Sequence, residues 1–271
     1  LIRSAVGKGW LRSPLTLADG SGNADEWVDD GGAVSSSPSS IPSSVVHRAC
    51  LGADDASQLV LLSRLMRGDL RAWEQLQEKD GKMPRPRCVV FTSDESAARG
   101  VASALRGSLW GDHAVSVLLP TEGANPRQIT DKFRRAAGSD EGFAGMARAQ
   151  GASVLVAPSD QARGLDFANV SHVYAIGLAS VPSAAEYTHI AGRTGRVGQA
   201  GDGVVTSIVA EADEVRILRQ VVEGELGRTL LLAEGDAAEL GVEEEAMATF
   251  PVEALDELDD VRRGLDDTLR L

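Results

Sequence analysis

The 271 residues are 43% hydrophobic and 25% charged, with a net charge of −13. That balance fits a globular chain with one sizeable core, and no run reaches the roughly 18 apolar residues that a membrane span needs. The two cysteines, Cys50 and Cys88, have no metal spacing and form no disulfide framework. An intracellular setting is therefore expected, with cytoplasm, nucleus and organelle all open. The acidity is uneven: residues 1–44 carry −2, residues 45–225 carry −2 and residues 226–271 carry −9. The middle of the chain is close to neutral, and local positive charge there can still meet an anionic partner.

Residues 1–20 read as a short helix, a turn at Ser13-Pro14 and a strand at Leu15–Leu17. Residues 21–44 are rich in Gly, Ser and Pro and read as a flexible linker. From Val45 strands and helices alternate. The expected strands are Val45–His47, Cys88–Phe91, His113–Leu119, Ser153–Ala157, His172–Ile176 and Gly203–Val209. The expected helices are Asp55–Arg67 with an extension over Arg71–Gln77, an alanine-rich helix capped at Thr92–Asp94, and Gln128–Ala137. Ser183–Ala191 and Glu211–Val222 complete the set. Gly138–Gln150 reads as an insertion. This alternation predicts an α/β fold, a parallel sheet with helices on both faces. Ligands of such sheets bind beyond the carboxyl ends of the strands. The segment 226–271 reads as an acidic extension whose end, Val252–Leu271, forms a charged helix.

Three stretches carry chemistry. Tyr187–Gly198 reads YTHIAGRTGRVG and places Arg193 and Arg196 three residues apart among glycines. Arginine presents a planar fork of donors that matches phosphate oxygens. By itself the pattern also fits a basic turn paired with surface carboxylates. Arg163-Gly164-Leu165-Asp166 follows a strand, where a carboxylate can bind a ribose hydroxyl and an Arg-Gly pair can approach a phosphate. Cys88–Ser93 is an apolar strand with hydroxyls at its end.

In this order the three stretches resemble motifs IV, V and VI of DEAD-box RNA helicases, and the resemblance spans about residues 45–225. It implies the second RecA-like domain of such an enzyme, with residues 1–20 as the end of the first. A chain that begins at Leu1 then reads as part of a longer protein. The resemblance implies that Arg193 and Arg196 are arginine fingers, that Asp166 contacts the ribose, and that His189 helps join two halves of an ATP cleft. Arg163, Gly164, Ser159 and Thr92 would lie on the RNA or interdomain side. ATP with Mg2+ is the implied cofactor pair, held mainly by a first domain. RNA and that first domain are the implied partners, and the acidic tail is a candidate docking segment for a protein. No metal ligand is expected among these residues.

The sequence departs from the family pattern at several points. Ile190 stands where an arginine is usual. Pro158-Ser159 replaces the usual Thr-Asp. No phosphate-loop pattern occurs in the 271 residues, and Asp256–Asp259 matches DExD by letter only. The alternative is a degenerate RecA-like scaffold or protein-binding module without ATPase activity.

Overall fold

The computed structural model describes residues 41–79, 86–109, 113–119, 123, 125–136, 153–161, 167, 170–178, 180–195, 203–233, 236 and 249–250. Strands form where apolar residues run together. They are β1 (Val46–Leu51), β2 (Arg87–Thr92), β3 (Ala114–Val117), β4 (Ser153–Pro158), β5 (His172–Ile176), β6 (Val204–Val209), β7 (Leu230–Ala233) and β8 (Thr249–Phe250). They make one sheet in the order β3-β4-β2-β5-β6-β1-β7-β8, and every pairing is parallel. Parallel neighbours need crossover connections, which the helices supply. These are α1 (Asp55–Lys79), α2 (Glu95–Ser108), α3 (Pro126–Ala136), α4 (Ala184–Ala191) and α5 (Ala212–Arg219), the last continued by a π-helical turn at Gln220–Glu225. The expected α/β fold with helices on both faces is present.

Alternate residues of a strand face opposite sides, so each central strand feeds two cores. Val89 and Phe91 pack with Phe133, Tyr187 and Leu218 of α3, α4 and α5. Cys88 and Val90 pack with Leu62, Met66 and Leu105 of α1 and α2. β2, β4 and β5 are buried along their whole length, which is why they read as unbroken apolar runs.

Local signals fix the helix starts. Asp94 caps α2 by accepting from the Ala97 amide at 2.9 Å. Pro126 opens α3, and the side chain of Asn125 accepts from the Arg127 amide at 3.0 Å. Ser183 and Glu186 form a capping box at α4.

Two boundaries differ from the expectation. Residues 41–44 were expected in the linker, yet Ile41 is buried and its carbonyl accepts from Arg228 Nη2 at 2.6 Å. The extension expected from residue 226 contributes to the sheet: Leu230–Ala233 pairs with β1 and Thr249–Phe250 pairs with β7. The reason is burial. Leu230, Leu232 and Ala233 are apolar residues inside an acidic stretch, and the edge of β1 would otherwise be exposed. Residues 1–40, Gly138–Gln150 and Val252–Leu271, on which further expectations fall, lie outside the described residues.

A largely buried ion pair locks α1 to the sheet. Arg48 of β1 donates through Nη1 to Asp69 Oδ1 at 2.9 Å and through Nη2 to Oδ2. Its Nε donates to Thr206 Oγ1 at 3.0 Å, and the Tyr174 hydroxyl donates to Asp69 Oδ2 at 2.7 Å. Burial pushes the Asp69 carboxyl up, but the Arg48 bonds and charge more than offset this and hold it below the usual range. The Arg48 guanidinium also lies 5.0 Å from the centre of the Phe250 ring, so β8 closes over the pair.

Candidate functional site

Four chain segments meet at the carboxyl ends of the central strands. β2 runs out at Thr92 into Ser93. β4 ends at Pro158, and the Ser159 amide then donates to the Thr92 carbonyl at 3.0 Å. β5 ends at Ile176 and turns through Gly177-Leu178. α4 returns from Ser183 toward Arg193. Between them lies a cleft of about 140 Å³ whose lining includes Ser93, Ser159, Leu178, Glu186, His189 and Arg193. A neighbouring cleft is lined by Asp55, Gln58 and Glu214, and its carboxylates repel phosphate.

The arginine turn is built by the end of α4. The helix stops at Ala191, and the amides of Gly192, Arg193 and Thr194 tighten onto the carbonyls of Thr188, Ile190 and Ala191 at 2.8, 3.3 and 3.1 Å. Thr194 is fully buried. Its hydroxyl lies 2.6 Å from the Val170 carbonyl and 3.1 Å from that of Ser171, and its backbone forms a bridge with Val170. A side chain at Gly203 would strike that hydroxyl, since a Cβ there would lie 2.4 Å from Thr194 Oγ1. Gly195 has φ +67, and a Cβ on it would lie 2.4 Å from Val45 Cγ2. The chain is therefore pinned on both sides of the turn. The helix has ended at Ala191, so Arg193 and the left-handed Gly195 lie in a turn beyond it. Arg193 is half-buried, with its guanidinium 5.8 Å from the centre of the Phe167 ring.

Of the residues expected in the site, Ser159, His189 and Arg193 share the cleft. Thr92 does not reach it. Thr92 is buried and its hydroxyl donates to the Asp94 carbonyl at 3.1 Å, so the next residue, the half-buried Ser93, lines the cleft instead. Arg163, Gly164, Asp166 and Arg196 lie outside the described residues. Ile190, at the position where the pattern has arginine, is buried in the core beside Tyr187 and Ala191.

Residues that the sequence did not single out support the site from behind. His47 of β1 shares a hydrogen bond with the Tyr187 hydroxyl at 2.9 Å and fixes the inner face of α4. Burial, aided by the nearby Arg228 charge, lowers the His47 pKa to about 4, so this ring is neutral at ordinary pH. Burial also raises the Tyr187 hydroxyl above its usual value. His47 and Tyr187 are 140 positions apart, and no local pattern links them. Thr194 and Phe167 carried a weak signal, since both adjoin residues already marked.

Residues 82–198 match the helicase conserved C-terminal domain. This stretch is a helicase C-terminal domain, RecA-like in fold and similar to those of DEAD-box helicases. A stretch of 72 residues is 47% identical to DEAD-box ATP-dependent RNA helicase 22 of Oryza sativa subsp. japonica, covering 26% of this chain and 12% of that one. Another of 80 residues is 39% identical to DEAD-box ATP-dependent RNA helicase CshA of Bacillus licheniformis, covering 29% and 16%. The match thus spans less than a fifth of either relative. In three dimensions this helicase domain is similar to DEAD-box helicase Mss116 bound to ssRNA and UDP-BeF. The TM-score is 0.51 at 17% identity, over 84% of this chain and 36% of that one, a likeness of fold. No helix among the described residues is long and apolar enough to cross a membrane.

Proposed function

We propose that this chain supplies the second half of the interdomain ATP site of a DEAD-box RNA helicase. In this reading Arg193 and Arg196 are arginine fingers, Asp166 contacts the ribose and His189 lies where the two halves meet. Arg163, Gly164 and Ser159 line the RNA or interdomain side. A first RecA-like domain holds the phosphates and magnesium. The observation that carries the reading is the pinned, half-buried Arg193 turn at the carboxyl ends of parallel strands, where this architecture binds its ligands.

The donor set fits a phosphate better than a metal. The cleft is lined by Arg193, His189 and three serines, Ser93, Ser159 and Ser180, and its one carboxylate, Glu186, is taken up in the capping box of α4. Among the described residues no group of three His, Cys, Asp or Glu is placed to hold a metal ion. ATP, when bound, supplies the phosphoryl group that is transferred to water. Arg193 meets charge that develops on that group, and its fixed backbone spares the reorganisation that a mobile arginine would need. Fingers of this kind are worth about 10³–10⁵ in rate. In this reading residues 1–20 end the first domain, a linker precedes the helicase domain, and an acidic extension follows the strands that join its sheet after residue 226.

A second reading is a scaffold without ATPase activity. The burial of Ile190 favours it, because the cation usual at that position is replaced by core packing. One experiment separates the two. Phosphate release with magnesium, ATP and RNA is measured for this chain alone and for the chain joined to its own first domain. The first reading expects turnover only in the joined protein. Inactivity of a well-folded joined protein would favour the scaffold.

A further inference from the structure

We propose that Phe167 is a positioning residue for Arg193: the face of its ring seats the guanidinium and couples it to the segment that follows Asp166. The proposal rests on the role for Arg193 given above.

The guanidinium carbon lies 5.8 Å from the ring centre, within the range of cation–π attraction. The ring is a fixed seat. Phe167 is fully buried, and the ring of Phe133 on α3 packs against it edge-on, with centres 6.4 Å apart and planes at 89°. Three positions further on, Val170 pairs with Thr194 and its carbonyl accepts the Thr194 hydroxyl. The head group of the arginine turn thus rests on Phe167, and its backbone on Val170 and Ser171. Arginine has a long, rotamer-rich side chain, and the ring contact adds an anchor at its head group to the one that Thr194 gives its backbone. An aliphatic residue at 167 would keep the site apolar, but it offers no negative ring face to a cation. Phe167 also follows Asp166 directly in the chain. The ribose contact proposed for Asp166 and the seat of Arg193 are therefore adjacent along the backbone, and displacement of one bears on the other.

Phe167→Leu keeps an apolar side chain, and Phe167→Tyr keeps the ring. The first measurement is the NMR signal of the Arg193 Nε–H and Cδ protons in this chain, assigned by its loss in Arg193→Lys. The ring shifts these protons in the wild type and in Phe167→Tyr, and the shift is lost in Phe167→Leu. Signals unchanged by Phe167→Leu would overturn the seat. The second measurement is RNA-stimulated ATP turnover in the two-domain protein. Phe167→Leu lowers kcat roughly fivefold to tenfold, with KM for ATP altered less than about twofold, and Phe167→Tyr restores it. In an Arg193→Ala background Phe167→Leu costs nothing further. Full activity in Phe167→Leu, or an equal loss in both backgrounds, would overturn the proposal. Wild-type turnover in Arg193→Ala would instead sink the finger assignment, and the NMR result alone would still decide whether Phe167 seats the arginine.

Discussion

Gly195→Ala is the sharpest structural probe of the arginine turn. Two costs arise there. Gly195 sits at φ +67, where an L-residue is disfavoured by roughly 1–2 kcal/mol. Its new Cβ would lie 2.4 Å from Val45 Cγ2, well inside contact distance. Val45 cannot swing away cheaply, because it is buried and a β-branched side chain is stiff at χ1. Overpacking of this kind costs about 1–3 kcal/mol. The total expected loss of stability is therefore about 2–5 kcal/mol. The two parts separate in a double-mutant cycle. Val45→Ala removes the methyl that is struck, so the double variant should be more stable than the sum of the singles by roughly 1–2 kcal/mol. The backbone cost should remain. Urea denaturation of the three variants measures all of this. Gly195→Ala within about 0.5 kcal/mol of the wild type, or a cycle with no coupling, would refute the pinned turn.

Other outcomes follow from the buried charges and the sheet edge. Asp69→Asn should cost about 3–5 kcal/mol, because it leaves Arg48 without its buried counter-charge, and Arg48→Met with Asp69→Leu should recover most of the loss in urea denaturation. The folded Asp69 carboxyl titrates below its unfolded value, so the stability from this pair is present above about pH 4 and is lost as pH falls through the folded value. His47 and His172 are buried neutral, each lowered to about 4, so the unfolded chain takes up protons from about pH 6.5 downward while the folded chain does not. Denaturation midpoints should fall steadily between those values, and a flat profile would contradict their burial. Removing residues 235–271 should raise RNA affinity by removing negative charge. It should also lower the thermal midpoint, because Phe250 and the bond from the Leu51 amide to Asp236 at 2.8 Å are lost.

The parts of the fold that the sequence made legible are those whose cause is local. β2, β4 and β5 are largely apolar runs, and the starts of α2 and α4 carry their own caps. Arg193 stood out for the same reason, as a cation between glycines at a helix end. What was not legible depends on distant partners. β7 and β8 are short, and their acidic surroundings hid them; only the open edge of β1 gives them a place. α1 runs from Asp55 to Lys79 through Gly68 because packing of Leu70 and Trp73 outweighs the propensity cost of glycine. Thr92 was chosen from its position after a strand, but the pleat turns it inward and leaves Ser93 facing the cleft. Nothing in the order of residues announces that Thr194 hangs from Val170, or that Phe167 lies under Arg193.

The central claim is that Arg193 acts on ATP held by a first domain. Its most direct test is RNA-stimulated phosphate release by the two-domain protein carrying Arg193→Ala. Arg193 lines the cleft and the turn's backbone is held by Thr194 and Gly195, so the variant should keep its circular dichroism and lose only the small stability of the ring contact. Turnover should drop by about 10³-fold or more. Wild-type turnover in a folded Arg193→Ala protein would contradict the account.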